Sequence, residues 1–214
     1  MSVSLPGQTQ NIEVEAGTEI PLNYSIGIGY SLNENIQFNL RTGILTMPYD
    51  NLIISLLGRY ATDESETNTI QDAFQFGVMA KAGINYKFSN FYTGAFYSFW
   101  RLQATDIPTD LLNNYFDLNL PPMSYDLIDY TLKSDLHNFG ILIGKSFPLK
   151  EGMAVGTEFS ISKTFITKNE LSNNFDEMTL ATGYVHDILD PLLMKYGFLP
   201  SINVFIRKNL TGIR

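Results

Sequence analysis

The 214-residue chain contains no cysteine. Disulfide frameworks, thiol nucleophiles and thiolate metal sites are excluded with it. Histidine is scarce as well: His137 and His186 are the only two, so a three-histidine metal site is also excluded. Charged residues make up 17% of the chain, below the usual proportion of about 25%. The formal charge is −8 and no basic stripe is present, which argues against a nucleic-acid partner. Hydrophobic residues reach 44%, yet no apolar run approaches the ~18 residues that a membrane helix needs. Any membrane crossing would fall to strands.

What is present is alternation. Between residues 12 and 32 the even positions Ile12, Val14, Ile20, Leu22, Tyr24, Ile26, Ile28, Tyr30 and Leu32 are apolar. The odd positions Glu13, Glu15, Glu19, Asn23, Ser25, Gly27, Gly29 and Ser31 are polar or tiny. Side chains alternate across a strand, so the pattern predicts one long strand with two unlike faces. Bulky residues share one face, and glycines, serines and charges share the other. A greasy exterior around a small polar interior is the pattern of a transmembrane β-barrel. The length suits a single domain over residues 1–214, an up-and-down barrel of about eight to ten strands.

Later runs repeat the plan. Residues 36–47, 74–88, 91–100, 137–147, 153–167 and 199–210 alternate in the same way, and Ser89-Asn90 reads as a two-residue hairpin turn. Tyr92, Phe96 and Trp100 fall on the inward face, where they are expected to fill space vacated by facing glycines. Lys145 breaks the outward face two residues from a turn, and its stem is expected to snorkel to the head groups. Residues 1–5 read as a strand-like stub and Pro6–Asn11 as a turn. Seven full strands and the stub then give eight, with the stub as a first strand rising to the outside.

Three long excursions, 48–73, 106–136 and 168–198, contrast with the short turns inside the hairpins. Outer-membrane barrels have short periplasmic turns and long extracellular loops, which sets the expected sidedness. Tyr30, Phe38, Tyr86, Phe88, Phe91 and Phe147 cluster by the short turns, where a periplasmic aromatic girdle belongs. Tyr49–Leu57, Asp110–Phe116 and Asp187–Tyr196 place apolar residues at helical spacing behind a capping Asp. They read as short helices packed above the rim, or as a hydrophobic platform for a partner or a lipid.

On this pattern the chain resembles the small bacterial outer-membrane barrels of OmpA- or OmpX-like eight-stranded architecture, over nearly its whole length. The resemblance implies residence in the outer membrane of a Gram-negative bacterium, with membrane lipid as the surroundings and a protein partner or ligand at the extracellular loops. Members usually carry a signal peptide and a terminal aromatic residue; Met1–Gln8 and Leu210–Arg214 show neither, so a mature or trimmed form is expected. Some such barrels are esterases with a Ser/His/acid set at the rim. Here His137 faces outward opposite Lys163 while Ser162 faces inward, so nucleophile and base do not meet and no enzyme is expected. Gly27-Ile28-Gly29 lacks the Lys and helix of a nucleotide site, and no cofactor is expected.

The candidate site is therefore the lumen. Arg41, Lys81 and Glu158 sit at similar height above the short turns, with Glu13, Glu15 and Glu19 on the same inward parity higher up and Arg207 on it in the final strand. Isolated charges in so narrow an interior are costly, so Glu158 is expected to pair with Arg41 or Lys81, against the alternative of separate solvation by trapped water. A soluble lipocalin-type barrel would turn the faces inside out, and its interior would be overfilled by the bulky set. The sequence thus favours a structural or surface-interaction barrel with a plugged lumen. The alternative is a transport or binding barrel that admits a small solute or hydrophobic ligand.

Overall fold

The computed structural model describes residues 11–46, 74–116, 118, 120, 130–173 and 179–210. Eight antiparallel strands close into one barrel in which every neighbour in space is a neighbour in sequence, save where the first strand meets the last. They are β1 (Asn11–Ile20), β2 (Asn23–Ser31), β3 (Ile36–Leu45), β4 (Phe74–Phe88), β5 (Phe91–Ile107), β6 (Tyr130–Pro148), β7 (Met153–Asn173) and β8 (Phe198–Asn209). Helices α1 (Thr109–Phe116) and α2 (Thr179–Tyr196) lie in the last two long connections. β1 closes on β8 with Glu15 opposite Arg207 and Thr18 opposite Val204.

The structure corrects the reading of residues 12–32 as one strand. The run is a hairpin folded at Pro21-Leu22, where the Leu22 N–H donates to the Glu19 carbonyl at 2.6 Å. Proline has no N–H to give to a ladder, so the run breaks there. Ile12 pairs with Tyr30 and Glu19 with Asn23, so even residues face even residues across the turn. The alternation therefore passes through the bend without a phase change and conceals it. The expected first strand at 1–5 and the turn after it lie outside the described residues, apart from Asn11, which opens β1. β1 consequently runs from the short-turn end upward, opposite to the direction expected for this stretch.

The wall is uneven in height. β1, β2 and β3 have 10, 9 and 10 residues, the length at which a tilted strand crosses a bilayer, about 9–11 residues. β5, β6 and β7 have 17, 19 and 21 residues and project beyond the rest as a three-stranded wall. They run further than the sequence pattern suggested because their phase slips. Between His137 and Asn138 of β6 the partner on β7 shifts from Ile166 to Thr164. Glu158, Ser160 and Thr164 point inward below this bulge, and Thr167, Asn169 and Leu171 point inward above it. A strict even-odd reading stops there.

On the inner face of the projecting wall, Ile107, Tyr130 and Leu171 form a small core with Leu112 of α1 and Ala181 and Val185 of α2. α2 begins well before the expected Asp187 and continues through Pro191. It also packs along the upper part of β7, where the Thr182 hydroxyl bridges the Leu171 N–H and carbonyl, and just past the end of the helix the Gly197 carbonyl accepts from the Thr164 N–H at 2.8 Å. An uncovered strand edge would otherwise offer itself to another chain. The apolar stretch Tyr49–Leu57 lies outside the described residues.

The polarity of the barrel is inverted relative to a globular core. Ile26 is 63% exposed, Leu40 and Ile141 59% and Ile206 58%, whereas Arg41, Lys81 and Glu158 are 4% or less. This placement excludes the lipocalin-type arrangement, in which the bulky set would be inside. At the short-turn end Phe88 and Phe91 stack with centroids 6.1 Å apart. The Lys145 ammonium sits 4.9 Å from the Phe91 ring and 5.1 Å from the Phe147 ring. Its charge is thereby held by aromatic faces at the edge of the apolar belt.

Candidate functional site: an ion ladder in the lumen

The site begins with missing side chains. Gly27 lies between Glu15 of β1 and Arg41 of β3 in one cross-strand row. A Cβ there would meet the Arg41 stem and the Glu15 carboxylate, so only glycine lets these two groups join across β2. Gly144 plays the same part for Tyr92, whose ring lies over it and whose hydroxyl reaches Glu158 Oε2 at 3.3 Å. Phe96 lies over Gly140 and Phe205 over Gly156, so inward aromatics occupy the room that opposing glycines leave.

Eight charged side chains then form a ladder of alternating sign. Lys87 meets Glu13 at 3.6 Å, and Glu13 meets Arg207 at 3.2 Å. Arg207 reaches Glu15 at 3.0 Å, and Glu15 is bonded to Arg41 Nε. Arg41 grips Glu158 with Nη1 to Oε1 at 2.7 Å and Nη2 to Oε2 at 3.1 Å. Glu158 is 3.6 Å from Lys81, which ends the ladder on Glu19 at 3.1 Å. Neutral donors add to the ladder: Gln37 donates to Glu13 at 2.6 Å and Ser201 to Glu19 Oε1 at 2.6 Å, while Glu19 Oε2 is buried without a hydrogen-bond partner among the described residues. Aromatic faces complete the cations' surroundings, with Phe96 3.9 Å from the Lys81 ammonium and Phe205 flanking Arg41 and Arg207.

Alternation matters because every charge but the end pair has a neighbour of opposite sign on both sides. Burial of single charges in so narrow a space is costly, and pairing with full hydrogen bonding offsets that cost. Arg41 and Lys81 are directly opposed in register, a repulsive placement on its own. Glu158, reaching across from β7, contacts both and converts the repulsion into a bridge.

Of the residues singled out in the sequence, Arg41, Lys81, Glu158, Arg207 and Glu19 all stand in this ladder. The expected heights of Glu13 and Glu15 require correction. Because β1 ascends from Asn11, Glu13 lies lowest, beside Lys87 near the short turns, and Glu19 lies highest, beside the Pro21 turn. Tyr92, Gln37 and Lys87 were legible only as inward positions, since their partners sit on strands distant in sequence.

Above the ladder the mouth is closed by apolar side chains. Leu22, Leu45, Met79, Trp100 and Leu136 form a buried cluster that Leu193 of α2 and Leu199 pack against. The cavity beside Arg41 and Lys81 is only about 10 Å³, close to the room one water occupies.

His137 and Ser162 stay on opposite faces of the wall. His137 accepts or donates with the Tyr97 hydroxyl at 2.6 Å on the outer side, while Ser162 is buried inside. The register is corrected too: His137 faces Ile166, and Lys163 faces Phe139. Among the described residues no group of three or more His, Cys, Asp or Glu side chains is placed to hold a metal ion.

A closed barrel with an apolar outer belt and an ionic interior defines the class: an eight-stranded β-barrel of the transmembrane type. No protein-family model and no curated protein sequence matches the chain. Among solved structures it is similar to a major outer membrane protein from Thermus thermophilus, at 9% identity and TM-score 0.49 over 95% of this chain and 100% of that one. It is also similar to Acinetobacter baumannii CarO2, at 12% identity and TM-score 0.42 over 94% of this chain and 97% of that one. The N-terminal β-barrel domain of Pseudomonas aeruginosa OprF gives 11% identity and TM-score 0.42 over 96% and 100%. At such identities no residue role transfers.

Proposed function

We propose that the chain is an outer-membrane barrel of a Gram-negative bacterium with a structural or surface-interaction role and a lumen that does not conduct. The observation that carries this reading is the ladder from Lys87 to Glu19, which crosses the interior and lies beneath an apolar layer at the mouth. A solute passing through would have to break buried ion pairs and also part Leu22, Trp100 and Leu193. Membrane lipid surrounds the belt, and the helices and long connections face the outside, where a protein partner or ligand would be met. The short turns and their aromatic girdle then face the periplasm. Purified protein in planar bilayers is expected to give no steady, resolved channels. Steady channels from the wild type would defeat the plugged reading and favour transport.

A further inference from the structure

The outward face of the projecting wall carries a charged cleft that the lumen does not use. Cross-strand rows climb this face: Phe99, His137 and Ile166 form one, Arg101, Asp135 and Lys168 the next, and Gln103, Lys133 and Glu170 the one above. The lowest of these rows is aromatic and apolar and ends the belt. Immediately above it, Arg101, Lys133, Asp135, Lys168 and Glu170 line a cleft of about 110 Å³.

The cleft holds three cations and two carboxylates on a chain whose total charge is −8. Asp135 is already committed, since both its oxygens accept from Arg101 at 2.7 Å. That bidentate contact fixes the Arg101 plane and removes one charge of each sign. Lys168 stands opposite Asp135 and Lys133 opposite Glu170, so the cleft keeps a net charge of +1, and among the described residues neither lysine comes within 4.0 Å of a carboxylate. Cationic side chains one row above a lipid-facing belt stand at the level of the head groups, where the nearest anions are lipid phosphates.

We propose that this cleft binds the phosphate of a lipid head group, with Lys133 and Lys168 as donors and the Arg101–Asp135 pair as its rigid floor. The proposal rests on the membrane reading above and adds a lipid of stated chemistry to it.

The test uses the full chain, first reconstituted into phosphatidylcholine vesicles and then titrated with phosphatidic acid in detergent while retention is counted by native mass spectrometry. Failure to enter phosphatidylcholine vesicles is failure of the membrane reading; entry without preferential retention of phosphatidic acid overturns the cleft alone. Wild type is expected to retain phosphatidic acid over phosphatidylcholine, and Lys133→Gln/Lys168→Gln to lose about tenfold in apparent affinity, a few-fold for each lysine near the surface. The matched pair Lys150→Gln/Lys208→Gln, at the short-turn end, is expected to keep the preference. Equal loss in both pairs, or no loss in the first, overturns the site. Displacement of the lipid by millimolar inorganic phosphate alone overturns the lipid as its source.

Discussion

Arg41 and Glu158 lie 117 residues apart in sequence and meet in a two-point contact across the lumen, at 2.7 and 3.1 Å. Glu158→Ala leaves Arg41 and Lys81 buried with a partner removed, and is expected to destabilise the barrel by roughly 3–5 kcal/mol. The order of the ladder makes the rescue asymmetric. Removing Arg41 together with Glu158 leaves Glu15 with Arg207 and Glu19 with Lys81, so every remaining charge keeps a partner. Removing Lys81 with Glu158 instead strands Glu19. Urea unfolding from lipid vesicles should therefore show larger recovery for the Arg41 double variant; equal recovery would contradict the ladder's order.

The lipid face gives a second expectation. Ile28, Ile84 and Ile141 are exposed on the belt, and a lysine at any of them should cost ~2–4 kcal/mol where it stands near the bilayer midplane. Gly29→Lys and Ser160→Lys act on the opposite face, by crowding or charging the lumen. Refolding titrations into vesicles measure both sets. An Ile84→Lys variant that folds as well as its parent would reverse the assignment of faces.

Alternation made the barrel legible because an inverted barrel must separate bulky from small residues at every second position. It could not show the Pro21 turn, whose pairing keeps even opposite even, and it failed at the β7 bulge, where inward parity changes from Thr164 to Thr167. The proline itself was the available signal, since an interior strand rarely tolerates one. The charge cluster was legible as parity alone. Its order was not, because the direction of β1 depends on that same turn, and because Gly27 and Gly144 act through side chains that cross from other strands.

The glycine under Tyr92 is expected to resist substitution. A Cβ at Gly144 would occupy the place of the Tyr92 ring, and the ring cannot retreat without leaving Glu158. Gly144→Ala should cost about 1–3 kcal/mol, as overpacking typically does. Gly183 of α2 has open space around its Cβ position. Gly183→Ala should be neutral or stabilise by up to about 1 kcal/mol through helix propensity. Thermal or urea unfolding of the two variants side by side separates the steric cost from a general intolerance of alanine.

Sidedness can be read chemically because the chain has no cysteine of its own. A single cysteine at Gly183, exposed on α2, should react with a membrane-impermeant maleimide on intact cells. One at Lys150, in the turn between β6 and β7, should react only after the outer membrane is breached. The reverse pattern would place the helices in the periplasm.

The two closures of the lumen lead to the last expectation. Trp100 is the largest member of the apolar layer, and Arg41–Glu158 is the two-point contact within the ladder beneath it. Trp100→Ala thins the upper layer but leaves the ion pairs intact below. Arg41→Ala/Glu158→Ala thins the ladder, and the apolar layer still excludes water and ions above. Each set alone should therefore stay silent in planar bilayers. Combined, they remove side chains at both levels of one narrow path, and intermittent channels are expected. Conductance from either set alone would show that one layer carries the closure, and silence from the combination in a folded barrel would assign it to residues neither set touches.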